Sequence, residues 1–369
     1  MPEVFDILWG TPITSHAWNR DRSQVAVVPN NNEVHIYGQR GSEWVVLHVL
    51  KEHDKLITSV DWAPNSNRIV TCSQDRNAYV WSWDTATSSW KPTLVLLRIN
   101  RAATFVQWSP AENKFAVGSG ARMICVCYFE EENDWWVAKH IKSPIRSTVL
   151  SLQWHPDNIH LAVGCADMTA RVFSTIVKGI DSVSAPSVWG GKSKFGTLVS
   201  EYKSPASGWV HSVAFSPSGN VLAFAGHDSS LNISYGPQEG IVSINTNHLP
   251  LVSILFISEN YIVGCGHDCV PYLYSNRGGN WELVDKLDQG KKRPSATSSG
   301  ILSSRFLAMD TRGQASTEVE LNSNHQNTIK TTRVYEATGN AVTKFSTTSL
   351  DGKLIIWDIL ASGLAKVQL

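Results

Sequence analysis

A seven-bladed, all-β propeller is the fold this sequence predicts. Three observations predict it: a recurring aromatic anchor, a fixed grammar of turns behind each anchor, and a chain that runs out one strand short. Trp18, Trp62, Trp108, Trp154, Phe215 and Phe256 each open a similar run, as in DWAPNSNRIVTCSQDRNAYVW and QWHPDNIHLAVGCADMTARVF. By difference of position these anchors lie 44, 46, 46, 61 and 41 residues apart. A period of about 40–45 residues with four short strands per unit is that of a propeller blade.

The turn chemistry follows the anchors in order. Pro64, Pro110, Pro156 and Pro217 stand two residues after their anchors, each with Asn or Gly close behind. Proline pre-sets φ for a turn, so the first strand of the unit reverses there into the second. Apolar runs such as RIVTC and NVLAFAG come next. A second turn then carries Asp75, Asp167, Asp228 or Asp268, with Trp81, Phe173 and Tyr274 six residues past the first, second and fourth of these. The run TKFSTTSLDGKLIIWD repeats that grammar with Asp351 and Trp357, which makes a seventh unit. Only 12 residues follow Trp357, too few for another strand, its connection and a tail. The N-terminal segment Val4–Trp9 is the natural donor of the missing strand, and closing the ring this way removes exposed sheet edges. Residues 1–369 therefore read as one propeller, with 1–9 holding the closing strand.

Two intervals exceed the repeat. The stretch KGIDSVSAPSVWGGKSKFGTLVSEYKSPASGWVH, behind Phe173, reads as a loop extension that Trp189 and Phe195 pin onto the propeller. A larger excess, about 40 residues beyond the period, lies before the last unit over 286–324. A structureless stretch of that length is uncommon in a compact domain unless it is functional or disordered. Within it, SSGILSSRFLAMD has helical spacing: Ile301, Leu302, Arg305, Phe306 and Met309 share one arc, Ser298 or Ser299 can cap the start, and Gly313 lies beyond the end. Between 286 and 313 there are six basic residues against two acidic ones. Such an apolar face either folds back on the propeller or projects as an arm toward a partner, and the basic surround suits an acidic one.

Composition narrows the function. Lys+Arg and Asp+Glu are 32 each, which gives no global charge for nucleic acid or an anionic membrane. No signal peptide is visible, and no apolar run is long enough to cross a bilayer. Six cysteines without framework spacing read as reduced thiols, so a cytoplasmic location is expected. The sequon Asn232-Ile233-Ser234 falls in a strand pattern and carries no weight. Cys265-Gly-His267-Asp268-Cys269 holds potential zinc ligands, but too close together for the usual paired spacing, so no metal is expected. Gly226-His227-Asp228 repeats the same turn, and Cys125-Val-Cys127 places two thiols on one strand face as core. The chain lacks G-x-S-x-G, a phosphate loop, H-E-x-x-H and an EF-hand loop, so neither catalytic residues nor a cofactor is expected.

The units resemble the WD-repeat family, whose blades carry a buried chain of His, Ser or Thr, Asp and Trp. His53, Thr71, Asp75 and Trp81 match all four places; Thr347, Asp351 and Trp357 match three, with His325 as the fourth across extra residues at Glu336–Ala341. The reason for such a chain is satisfaction of a buried carboxylate by indole and imidazole N–H donors. Longer stretches, among them WKPTLVLLRINRAATFVQWSP, EEENDWWVAKHIKSPIRSTVLSLQWHP and GHDCVPYLY, go beyond generic blade grammar. Through them the chain resembles the WD-repeat subunits of the actin-related protein 2/3 complex over almost its whole length. That resemblance implies a non-catalytic scaffold that docks onto actin-related and small accessory subunits in cortical actin structures. The assembly nucleates filament branches when a nucleation-promoting factor activates it. It also implies a projecting insert helix, here Ile301, Leu302, Arg305, Phe306 and Met309, that touches the mother actin filament or the activator. The alternative is a general WD-repeat adaptor that reads a peptide at the propeller mouth.

Overall fold

Inward-facing β-branched residues and one aromatic per unit fix the architecture. In the computed structural model, which describes residues 2–8, 10–41, 43–182, 187–191, 193–288, 290 and 321–360, 28 strands form seven four-stranded antiparallel sheets. Numbered in chain order, the innermost strands of blades one to seven are β2 (Ser15–Trp18), β6 (Ile57–Ala63), β10 (Ala103–Trp108), β14 (Val149–Trp154), β18 (Val210–Phe215), β22 (Leu251–Ser258) and β26 (Ile329–Thr338). The six anchors Trp18, Trp62, Trp108, Trp154, Phe215 and Phe256 are all buried on these strands. They pack with apolar residues of their own and neighbouring blades; Trp62, Ile69 and Trp81 sit with Ile36, Leu50 and Ile57 in one cluster. The seven-bladed reading of the repeat therefore holds.

The last blade is completed as the chain count required. Its order is β1 (Glu3–Asp6), β28 (Lys353–Asp358), β27 (Ala341–Ser349), β26. Glu3, Val4, Phe5 and Asp6 pair antiparallel with Ile356, Ile355, Leu354 and Lys353. The closing strand is shorter and earlier than Val4–Trp9. Leu8 has already turned, its N–H donating to the Gly352 carbonyl at 3.1 Å and its carbonyl accepting from Thr11 N–H at 2.9 Å. Trp9 lies outside the described residues. Gly352 has φ +84°, and a Cβ there would meet the Leu8 carbonyl oxygen at 1.9 Å, so only glycine lets the closing segment pass.

The same seam is locked inside the ring. His16 Nε2 and Trp18 Nε1 both reach Ser346 Oγ at 2.8 Å, and His16 Nδ1 meets Thr331 Oγ1 at 2.7 Å. Burial, with help from Arg333, holds the His16 ring well below its ordinary pKa and so neutral. Arg333 in turn donates to the His16 and Val60 carbonyls at 3.1 and 3.2 Å, tying the seventh blade to the first and second.

The extension behind Phe173 is attached as the aromatics suggested, with one further fastening that sequence reading missed. Trp189 is buried and donates to the Gly219 carbonyl at 2.7 Å, while Phe195 packs on the core between blades three and four. Lys114 is fully buried, and its Nζ meets Asp181 Oδ2 at 2.5 Å and the Thr175 carbonyl at 3.2 Å. A buried pair of this kind strands a charge when broken.

The proposed helix within 286–324, and with it Ile301, Leu302, Arg305, Phe306 and Met309, lies outside the described residues. Its two flanks are described and meet. Buried Asp288 accepts from Gly290 N–H and Asn324 Nδ2 on one oxygen, at 2.8 and 2.9 Å, and from Asn324 N–H on the other at 2.7 Å.

Deleting residues 1–8 would leave the inner lock intact but expose the edge of β28. The expected result is a thermal midpoint lower by roughly 3–6 °C and concentration-dependent association through the bare edge. Calorimetry together with light scattering reads both, and an unchanged midpoint would remove the clasp role of β1.

Candidate interaction surface

The hydrogen-bond chain of the second blade is assembled from three elements. His53 comes from the loop entering β6, Thr71 from the second strand, and Trp81 from the third. Trp81 Nε1 donates to Thr71 Oγ1 at 3.1 Å, Thr71 Oγ1 lies 2.8 Å from His53 Nε2, and His53 Nδ1 lies 2.6 Å from Asp75 Oδ2. The indole therefore serves the threonine, not the carboxylate as the sequence argument had it. Asp75 takes its donors from His53 and from the Asn77 and Asp54 N–H groups. In the seventh blade Trp357 Nε1 to Thr347 Oγ1 and His325 Nε2 to Thr347 Oγ1 are both 2.8 Å, and His325 Nδ1 to Asp351 Oδ2 is 3.2 Å. The extra residues that obscured His325 form the long β26–β27 hairpin, with bulges at Val334–Ala337.

Burial alone would raise the Asp75 and Asp351 carboxyls, but the imidazole and backbone hydrogen bonds outweigh it and hold both below the ordinary 3.8. The remaining blades improvise. Asp167 pairs with Arg171 at 3.0 Å. Asp228 accepts from Ser204 and Ser230, and Asp268 from Leu249 N–H and Tyr272 Oη. His248 bonds the Tyr274 hydroxyl in the sixth blade and so stands in for the missing threonine chain. Its position three residues before β22 was the signal that could have found it.

The polar clusters weighed as sites are engaged structurally. Cys265 and Cys269 are buried, their thiols pushed up by burial to about 12 and about 11, and Cys269 Sγ contacts the His267 carbonyl at 3.4 Å. Cys125 is likewise buried and pushed up to about 12, so it does not form a thiolate near neutral pH. A cluster that sequence reading passed over is His155, Asp157 and His160. Asp157 bridges both rings, Oδ1 lying 2.9 Å from His155 Nδ1 and Oδ2 2.6 Å from His160 Nδ1. These bonds brace the turn between the first two strands of blade four. Burial opposes the Asp157 charge, but the two histidines hold its carboxyl far below the usual range.

Surface chemistry is uneven despite the neutral total. A groove of about 1200 Å³ between blades three and four is lined by Arg101, Arg122, Lys142 and Arg146, all exposed, beside Met123 and Ile145. None of the residues lining it is acidic.

Fold and hydrogen-bond chain together define a WD-repeat propeller, and the WD domain, G-beta repeat model matches residues 44–82, 139–174 and 196–233. The chain is 53% identical to actin-related protein 2/3 complex subunit 1A-B of Xenopus laevis over 353 residues, covering 94% of each. It is 46% identical to subunit 1 of Schizosaccharomyces pombe over 368 residues, 94% of this chain and 97% of the relative. Against subunit 1A of Arabidopsis thaliana it is 42% identical over 361 residues, 94% of each. The chain belongs to the family of actin-related protein 2/3 complex subunit 1.

Replacing Thr71 with Val removes the atom that both Trp81 and His53 address. A loss of about 2–3 kcal/mol is expected for the orphaned buried partners, read as a lower urea midpoint with unchanged slope. Because the folded Asp75 titrates below its unfolded value, its contribution is present above about pH 4 and fades as the pH falls through the folded value. Asp75→Asn should therefore flatten that part of the acid limb of stability against pH, and an unaltered limb would count against the His53–Asp75 pair.

Proposed function

We propose that this chain is a non-catalytic scaffold subunit of the actin-related protein 2/3 complex, supporting nucleation of branched actin filaments in the actin-associated cytoplasm. The observation that carries this reading is identity of 42–53% to named subunits 1 across 94% of the chain, on a closed propeller whose turn aspartates are occupied in bracing turns. Actin-related subunits and small accessory subunits are its stable neighbours. The arm residues Ile301, Leu302, Arg305, Phe306 and Met309 face the mother filament. The blade three–four groove offers exposed guanidinium groups to an acidic segment such as a nucleation-promoting factor would present.

Affinity purification of the native protein followed by gel filtration tests the assembly. Recovery with two actin-related proteins is expected, and recovery as a lone monomer would end the reading. Within that assembly Phe306→Ala should slow branch formation by about tenfold, the cost of truncating an interface anchor, without changing subunit composition. An adaptor reading a peptide at the channel mouth predicts the reverse: indifference to Phe306 and sensitivity to mouth substitutions.

A further inference from the structure

Six of the seven innermost strands slip register at the same place, and the residue skipped in each is Thr58, Thr104, Leu150, His211, Val252 or Lys330. A bulge leaves its extra residue out of the ladder and re-aims the side chain. Thr14 holds the corresponding place before β2. All seven side chains belong to the lining of the central channel, a cavity of about 460 Å³, and form a ring at one end of it. Three members of the ring are hydroxyls already in use: Thr14 donates to the Val28 carbonyl at 3.5 Å, Thr58 to the Ala103 carbonyl at 3.0 Å and Thr104 to the Val149 carbonyl at 2.6 Å. Leu150 and Val252 are apolar. Basic groups stand only at His211 and Lys330, on either side of Val252.

Around those two positions the charge is one-sided. His211 Nε2 lies 2.8 Å from His227 Nδ1, and His267 Nδ1 lies 3.1 Å from Thr328 Oγ1 beside the base of β26. Half-buried Lys330 has no hydrogen-bond or ion-pair acceptor among the described residues. The acids of the two adjoining turns are turned to other work: Asp268 Oδ2 accepts from Leu249 N–H at 2.9 Å and Tyr272 Oη at 3.1 Å, and Asp228 accepts from Ser204 and Ser230. Burial lowers the Lys330 ammonium. Burial, then His227, His267 and Lys330, depress His211 to about 4, and burial, then Lys330 and His227, depress His267 against the weaker opposing pull of Asp268. A half-buried ammonium with no acceptor, beside imidazole rings whose nitrogens can serve as N–H donors, is a site whose electrostatics call for an anion.

We propose that the channel mouth between blades five and seven binds a small, multiply charged phosphate compound, held by Lys330 Nζ, the His211–His227 imidazole pair and His267. A carboxylate would be matched by Lys330 alone. A polyanion also draws protons onto the imidazoles and turns ring nitrogens into N–H donors, which uses all four groups. Val252 forms the apolar floor between them. This site is separate from the blade three–four groove, and it does not depend on the scaffold reading.

The test uses the purified full-length protein, in whatever assembly it is recovered, and inorganic pyrophosphate as the probe. Calorimetric titration should give saturable binding that tightens between about pH 8 and about pH 6 as imidazoles take up protons. Lys330→Met should weaken it by at least about tenfold, His211→Asn should remove much of the pH dependence, and Lys91→Met on the outer strand of blade two should leave it intact. Imidazole NMR on the unsubstituted protein supplies a readout that no folding defect can mimic, since pyrophosphate should raise the His211 and His267 titration midpoints. Absence of saturable binding, binding that survives Lys330→Met, or unmoved imidazole midpoints would each overturn the proposal.

Discussion

Sheets arranged side by side around an axis share no backbone ladder, so the ring depends on side chains of each innermost strand reaching the backbone of the next. The pattern is regular. Ser15 Oγ accepts from Val60 N–H at 3.2 Å, Ser212 Oγ from Ile254 N–H and Ser253 Oγ from Thr332 N–H, both at 3.1 Å. Further along the same strands Asp61 Oδ2 accepts from Trp108 N–H at 2.8 Å, Gln107 Oε1 from Trp154 N–H at 3.2 Å and Gln153 Oε1 from Phe215 N–H at 2.5 Å. Each acceptor satisfies an inner-strand amide that its own sheet leaves open. The apolar clusters between blades supply the bulk of the burial, while these contacts set the angle at which one blade meets the next.

That arrangement also explains the charge distribution. The loops entering the innermost strands and the turns between second and third strands share one face. The carboxylates on it, Asp75, Asp228, Asp268, Asp288 and Asp351, each accept hydrogen bonds from neighbouring turns and loops. The cations there, Arg101, Arg122, Lys142 and Arg146, remain extended into solvent. A chain with a formal charge of zero thus presents a basic patch at the groove between blades three and four, whose lining holds no acid.

Most of the fold was legible in the sequence because its signals are local. An anchor aromatic, a proline two residues on and an aspartate at a fixed offset all lie within one unit, and strand count alone required a donor for the last blade. The hydrogen-bond partners of Trp81 were harder to read: a sequence names the members of a network but not the order in which they bond, and the indole went to Thr71. Lys114–Asp181 escaped notice because its members are 67 residues apart and neither sits in a repeat motif. Lys330 and His211 were hidden for a different reason. Strand alternation assigns a side chain to one face, and a bulge that shifts the register overrides it with no mark in composition.

Asp288 has a mechanical consequence. By bonding Gly290 on one side and Asn324 on the other, it makes the departure and return of the intervening chain a single rivet on blades six and seven. A pull on that chain meets the Asp288 bonds before it reaches the ladders of β25 (Asn280–Lys286) or β26. The rivet lies beside His325, whose bonds to Thr347 and Asp351 continue into the seventh blade. Traction from outside would thus spread into the sheet that the N-terminal strand clasps, and the ring would take it as tension around its circumference.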